Sequence, residues 1–375
     1  MRICMLTTRH SPLDDRIFYK EAVSLKRVSS EIKIIAPYCR SRQIVNGIEI
    51  WGLPPEAKSQ CFLWSNLYQK ALRAKADVYH CHEPDSLLVG ILVKNRQKAK
   101  LIYDCHEYHP EIFARRFPEK LQPFVGVVAY WAERLLCKKA DYVITVCQEL
   151  AEKFRRWGNR VQLVENYAIR WPDKGFSLSI SRTDLGIRPE ESVGVFVGGM
   201  YRERGIYQMM DAIRILRGWG RKVKLLLVGP GVKGFLESAK AYAQAKGIAQ
   251  GVVFTGKVAF TEIPSYLAMA DFGLVMDYPE RRKLNTVAVK VFEYMQAGLP
   301  IVASDLPANR RIIQTEQCGV LTDPLRPEKI AEAVALVLKK PDLGPKMGRR
   351  GREAFLRKYN WDQAEKRLLA VYRDL

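Results

Sequence analysis

Short apolar runs rich in Val, Ile and Leu recur along the chain, separated by longer stretches whose apolar residues return every three or four positions. The runs predict strands at Arg2–Leu6, Ile32–Ala36, Asp77–Tyr79, Lys100–Asp104, Tyr142–Val146 and Val161–Val164. A second series is predicted at Val193–Val197, Lys224–Val228, Val252–Thr255, Phe272–Met276 and Pro300–Ala303. The intervening repeats, such as Leu121, Phe124, Val128, Trp131 and Leu135, have helical spacing. Strands alternating with helices predict an α/β chain with parallel sheets covered on both faces.

Between the two series, Ala168–Glu191 carries Pro172, Gly175, Gly186 and Pro189 among polar residues. The same rhythm restarts after it, so two Rossmann-like, doubly wound domains are expected. They are assigned to residues 1–170 and 191–358, with a linker over 171–190. Residues 359–375 repeat Trp361, Ala364, Leu368, Val371 and Leu375, which predicts a terminal amphipathic helix packing back toward the first domain. Ligands of doubly wound sheets bind beyond the carboxyl ends of the strands, so two such domains are expected to face one central cleft.

Composition narrows the partners. A net charge of +21 suits nucleic acid, an anionic membrane or a phosphorylated ligand. The charge is spread over both halves, which disfavours a nucleic-acid-binding tail. The eight cysteines form no CxxC pair, and several lie in apolar runs, as reduced core thiols would. No signal core or bilayer-length apolar stretch is present, so a cytoplasmic protein is expected, peripheral to the membrane at most.

Candidate chemistry gathers after the strands. His80, His82, His106 and His109 follow two strands of the first half directly. A metal is not expected there, because no HExxH or paired CxxC accompanies them and His80 and His82 are taken to point to opposite faces. In the second half Gly198-Gly199, with Arg204 close behind, offers backbone amides and a cation to a diphosphate. Gly229, Gly231 and Gly234 spell a GxGxxG after a strand, but the next strand ends in Thr-Gly-Lys without the acidic residue a dinucleotide ribose needs. Lys290 to Ser304 opens a helix with Lys290 and Glu293 on one side and Val291, Tyr294 and Met295 on another.

That last segment, Lys290-Val-Phe-Glu-Tyr-Met-Gln-Ala-Gly-Leu-Pro-Ile-Val-Ala-Ser304, resembles a stretch characteristic of glycosyltransferase family 4, whose members have the GT-B fold. Gly198–Gly205, Gly229–Gly231, Thr255–Val258, Asp15–Phe18 with Glu21, Tyr103–Glu107 and Asn360-Trp361 are similar to other family segments. The resemblance implies a hexosyltransferase that moves sugar from a nucleoside diphosphate sugar, with UDP-hexose preferred, and retains anomeric configuration. By it His106, Asn285 and Arg204 are catalytic candidates. Gly198, Gly199, Arg204, Gly229, Lys257, Val258, Lys290 and Glu293 bind the donor, and no cofactor or metal is implied. Asn285 stands where the family often has a glutamate, and Gly199 where it has an arginine.

The acceptor is expected to be a saccharide or lipid-linked sugar in cell-surface polysaccharide or glycolipid synthesis. His82, Glu107, Arg115 and Arg116 are acceptor-side candidates, and the basic, aromatic segment Leu121–Lys139 is a candidate for contact with an anionic membrane. The rival readings are an NAD-dependent oxidoreductase built on Gly229–Gly234 and a basic nucleic-acid-binding protein.

Overall fold

The strand–helix rhythm resolves into two α/β units, one formed by Met1–Asn166 with Trp361–Leu375 and the other by Tyr167–Asn360. The computed structural model describes residues 1–54, 59–171, 180–339 and 342–375, leaving aside the side chains of Lys233, Arg281 and Arg282. The linker expected over 171–190 therefore lies partly outside the described residues, and its remainder, with a short turn at Thr183–Leu185, belongs to the second unit.

Among the described residues the first unit has eight strands: β1 (Arg2–Leu6), β2 (Glu31–Pro37), β3 (Arg42–Val45), β4 (Ile48–Leu53), β5 (Val78–Cys81), β6 (Lys100–Cys105), β7 (Tyr142–Thr145) and β8 (Val161–Leu163). Their order in the sheet is β3-β4-β2-β1-β5-β6-β7-β8, parallel except for β3. The pair β3–β4 was not expected from the apolar pattern, although Asn46-Gly47 marks it. Both residues take positive φ (51° and 74°), as a two-residue hairpin turn requires, and Val45 pairs with Ile48 across them.

The second unit contains β9 (Ser192–Val197), β10 (Val223–Val228), β11 (Val252–Gly256), β12 (Phe272–Val275), β13 (Ile301–Ser304) and β14 (Gly319–Thr322). They form an all-parallel sheet in the order β11-β10-β9-β12-β13-β14. In each sheet the strand order reverses once near the middle, between β1 and β5 and between β9 and β12. Beyond the carboxyl ends at these reversals lies the natural ligand position of a doubly wound sheet.

Six helices carry or flank the candidate residues: α1 (Asp15–Ala22), α2 (Pro84–Gln97), α3 (Gln122–Cys137), α4 (Ile206–Gly218), α5 (Val289–Ala297) and α6 (Trp361–Arg373). α1 is wound as a π-helix, capped by Asp14, whose carboxylate accepts from Arg16 N and Ile17 N. The wider turn brings Arg16, Lys20 and Glu21 to the buried side together. α6 carries the chain back into the first unit, where Trp361 Nε1 donates to Ser24 Oγ (2.9 Å) and Arg367 Nε to Leu163 O (3.1 Å).

Both cores are lined by Val, Ile and Leu from the strands, since sheets covered on two faces leave little room for polar side chains. One polar group completes the second. β9 and β12 pair only as far as Val195 and Gly273, and beyond that point the Tyr294 hydroxyl enters. It accepts from Val197 N (3.1 Å) and donates toward Val195 O and Leu274 O (3.3 Å each). The ring fits because residue 273 is glycine, where a Cβ would come within 2.3 Å of it. Tyr294→Phe would leave the Val197 amide buried and unbonded. It is expected to lower the unfolding free energy by about 1–3 kcal/mol with the fold retained, as read from urea denaturation.

Candidate active site

In the second unit three post-strand turns are stitched into one floor. Gly198 N donates to Val228 O (2.8 Å), Met200 N to Pro230 O (2.8 Å), and Gly229 N to Gly256 O (3.0 Å). The glycines are required by this closeness: at Gly229, which has φ 134°, a Cβ would lie 2.3 Å from Gly198 O. The GxGxxG spelling is thus accounted for by turn-to-turn packing and by Gly231, whose missing Cβ admits the backbone of Leu236.

Two cations converge on Gly198. A Cβ there would meet the Arg204 guanidinium at 2.9 Å and Lys290 Nζ at 3.7 Å. Lys290 is only 4% exposed, makes no hydrogen bond through Nζ, and lies over the Phe196 ring at 4.2 Å. Burial, and then the neighbouring Arg204, hold its ammonium well below the usual lysine range. One carboxylate answers them: Asp277 Oδ1 is 3.5 Å from Lys283 Nζ and 4.0 Å from Arg204 Nε. Burial alone would raise the Asp277 carboxyl, but Lys290, Lys283 and Arg204 outweigh it and hold it low. Ser304, the last residue of the family-like segment, fixes this turn by donating to Asp277 O (2.7 Å) and Val275 O (3.1 Å). α5 is buried on both sides, with Glu293 nearly as enclosed as Lys290. Asn285 is half-buried just after the short turn Arg281–Leu284, Gly199 and Val258 are half-buried, and Lys257 is exposed.

The working end of the first unit is a polar layer beneath His106. Arg16, 3% exposed, donates to both oxygens of Asp104 (3.1–3.3 Å) and to Val164 O (3.1 Å), and lies 2.8 Å from Glu21 Oε1. His106 Nε2 sits 2.7 Å from Asp104 Oδ2 and 3.1 Å from Arg16 Nε. Burial pushes its imidazole below the ordinary value against the pull of Asp104, so it is neutral at neutral pH. Burial drives the Glu21 carboxyl up, while Arg16 and His106 overcome burial to hold Asp104 down.

His80 and His82 do not diverge. Positions two apart on a strand share a face, and the rings stack at 4.7 Å with 15° between planes. The expectation of opposite faces is corrected accordingly. His82 is 1% exposed, so it supports His106 from below, at 5.5 Å between ring centroids. Glu107, Arg115 and Arg116 lie on the surface. Sequence reading passed over Glu83, which shapes the loop after β1: its carboxylate takes the Thr7 hydroxyl and Thr8 N (3.2 Å). It also passed over Asp277, whose signal is its place directly beyond β12. α3 keeps only Glu133 and Cys137 buried, with Glu133 bonded to Tyr103 Oη (2.9 Å) and Lys153 Nζ (2.5 Å). Leu121, Phe124, Val127, Val128, Trp131 and Leu135 are exposed, Phe124 by 70%.

Residues 191–340 match the family described as Glycosyl transferases group 1, and residues 34–166 match the Glycosyl transferase 4-like domain. An uncharacterized glycosyltransferase of Methanocaldococcus jannaschii is 23% identical over 88% of this chain and 85% of its own. The phosphatidyl-myo-inositol mannosyltransferase of Mycobacterium leprae is 24% identical over 79% of this chain and 73% of its own. Among solved structures, sucrose-phosphate synthase from Thermosynechococcus elongatus superposes with a TM-score of 0.78 at 17% identity, over 100% of this chain and 98% of that one. Anabaena HepE in complex with UDP-glucose superposes at 0.75 and 16% identity, over the whole of both chains.

One buried group sets an acid limit. His109, at the start of the helix after β6, makes no hydrogen bond through either nitrogen, and burial, then His106, lower its imidazole from 6.5 to about 3. Between those values the unfolded chain binds a proton here that the folded chain does not, so stability is lost on acidification. From pH 6.5 to pH 5 this one group is expected to remove about 2 kcal/mol. Urea titrations of His109→Gln should show a correspondingly flatter pH dependence.

Proposed function

The chain belongs to glycosyltransferase family 4 and has its GT-B fold, and on that premise we propose that it transfers a hexosyl group from a nucleoside diphosphate sugar to a saccharide or lipid-linked acceptor, with retention. UDP-hexose is the donor we favour, a choice supported by the UDP-glucose complex of HepE. The observation that carries the proposal is the Lys290 ammonium, buried without a hydrogen-bond partner beside Arg204 at a glycine floor. Burial and Arg204 disfavour the charged form of Lys290, and an anion brought against it would restore that charge. A diphosphate supplies that anion, and its charge grows as the bond from the anomeric carbon to phosphate oxygen breaks.

In this reading the Gly198 and Gly199 amides join Arg204 and Lys290 on the leaving diphosphate. With two cations aimed at it, the transfer step is expected to need no metal. Glu293 takes the ribose hydroxyls, the backbone at Gly229, Lys257 and Val258 borders the base, and Asn285 hydrogen-bonds the transferred sugar; in the first unit the neutral His106 is the group offered to a sugar hydroxyl. The acceptor hydroxyl passes its proton to the departing phosphate oxygen as its own oxygen bonds to the anomeric carbon on the face the diphosphate leaves. The oxidoreductase and nucleic-acid alternatives find no support in the comparisons.

Lys290→Met and Arg204→Met should each lower kcat/KM for the donor by roughly 10²–10³-fold, and Glu293→Ala should weaken donor binding by about tenfold or more. Turnover assays over a panel of UDP- and GDP-sugars check this. Unchanged kinetics in Lys290→Met would remove the basis for the assignment.

The exposed side of α3 supports an anionic membrane as the place where a lipid-linked acceptor is met. Its apolar residues are bordered by Arg115, Arg116, Lys120, Arg134, Lys138 and Lys139, the pattern of a helix that lies in an interface. No helix among the described residues is long and apolar enough to cross a membrane. Co-sedimentation with phosphatidylglycerol vesicles should fall by about tenfold or more in Phe124→Ser/Trp131→Ser, each side chain contributing about 1.5–3 kcal/mol when buried. Neutral vesicles should bind weakly throughout.

A further inference from the structure

The layer beneath His106 contains a constellation that sugar transfer does not use. Glu21 in α1, His80 in β5, His82 just beyond it and Asp104 in β6 each bring one ligand atom within 4.8 Å of the others, the one such group among the described residues. His80 Nε2 is 3.6 Å from Asp104 Oδ2 and 3.8 Å from Glu21 Oε2. His82 Nδ1 is 3.7 Å and 4.0 Å from the same two oxygens. All four residues are fully buried or nearly so.

The atoms at the centre lack ordinary partners. His80 Nε2, both nitrogens of His82 and Glu21 Oε2 make no hydrogen bond. Each buried polar atom left so costs about 1–3 kcal/mol, and of these His80 Nε2, His82 Nδ1 and Glu21 Oε2 face one another, with Asp104 Oδ2 beside them. The four nitrogen–oxygen edges of 3.6–4.0 Å, with the remaining two inside 4.8 Å, leave room for a central ion whose bonds to imidazole nitrogen and carboxylate oxygen are roughly 2.0–2.2 Å after small side-chain adjustment.

The surroundings have the form of an outer shell. His80 holds Tyr372 Oη at 2.6 Å through Nδ1, the nitrogen facing away from the cluster. Asp104 is gripped by Arg16 and His106, and Glu21 Oε1 by Arg16. Contacts of this kind orient metal ligands and fix the imidazole tautomer. Arg16 also keeps the sum acceptable, since two carboxylates, one guanidinium and one dication leave a single positive charge.

We infer that Glu21, His80, His82 and Asp104 form a closed site for one divalent transition-metal ion, zinc in the first instance. Four protein ligands and full burial leave no open position, which makes the ion structural rather than reactive. It pins α1 to the ends of β5 and β6 and, through His80 and Tyr372, fastens α6 to the same sheet. The ion takes no part in the transfer step proposed above, although its ligand Asp104 also holds His106.

The test uses the full chain and no activity assay. Protein purified without chelator should contain close to one zinc per chain by plasma mass spectrometry. Refolding from denaturant with zinc should give a Tm at least about 5 °C above refolding with EDTA. Refolding with cobalt should give the intense visible absorption of a tetrahedral ion, and His82→Gln and Glu21→Gln should each lose it. Absence of bound metal after purification and after refolding with zinc, cobalt, nickel or manganese would overturn the inference. So would metal retained undiminished in both variants, and the wild-type measurement stands even if a variant fails to fold.

Discussion

Arg16 is the point on which the first unit's working end depends. Its guanidinium is buried, and a buried charge is tolerable only when paired and hydrogen-bonded. Asp104 and Glu21 supply the pairing and Val164 O a further bond. The π-wound helix, the end of β6 and the end of β8 are therefore tied to one planar group. His106 acquires its place from the same arrangement, since its Nε2 is set against Asp104 and Arg16 before any ligand arrives. Removing the guanidinium would leave two carboxylates facing each other in the interior.

The second unit works by the opposite electrostatic logic. There three cations, Arg204, Lys283 and Lys290, share one carboxylate, Asp277. Excess positive charge is held at a floor of glycine backbone, and burial makes it costly to maintain. Such a site is stabilised by an incoming anion, and its cations need little rearrangement to receive one. Preorganisation of this kind explains why the residues that matter stand on strand ends and the first turn of α5, where the sheet fixes the backbone.

α3 shows a third use of charge. Its anchor is the buried Glu133, bonded to Tyr103 and Lys153, while most of its apolar side chains face outward. A helix held along one edge by polar contacts of Glu133, Tyr130 and Cys137, and leaving its apolar surface unburied within its own unit, is poorly explained by folding alone. Its basic borders give that surface an electrostatic preference as well.

Much of this was written in the sequence. The apolar runs located most strands to within a residue or two, because buried parallel strands are continuous apolar segments whose pattern needs no knowledge of neighbours. The glycines at 198 and 229, the family-like segment at 290–304 and the returning terminal helix were legible for the same local reason. Tertiary structure alone decided which charges are paired. Asp104 and Arg16 are 88 residues apart and His80 and Tyr372 are 292 apart, so no spacing could reveal their contact. Nor could it show that His80 and His82 share a face with Glu21, or that Lys290 is buried beside Arg204, or that α3 turns its apolar side outward. Periodicity tells that a helix has an apolar face, but only packing determines whether that face meets a core, and only packing closes Arg16 in with carboxylates while setting Lys290 beside Arg204 at a glycine floor.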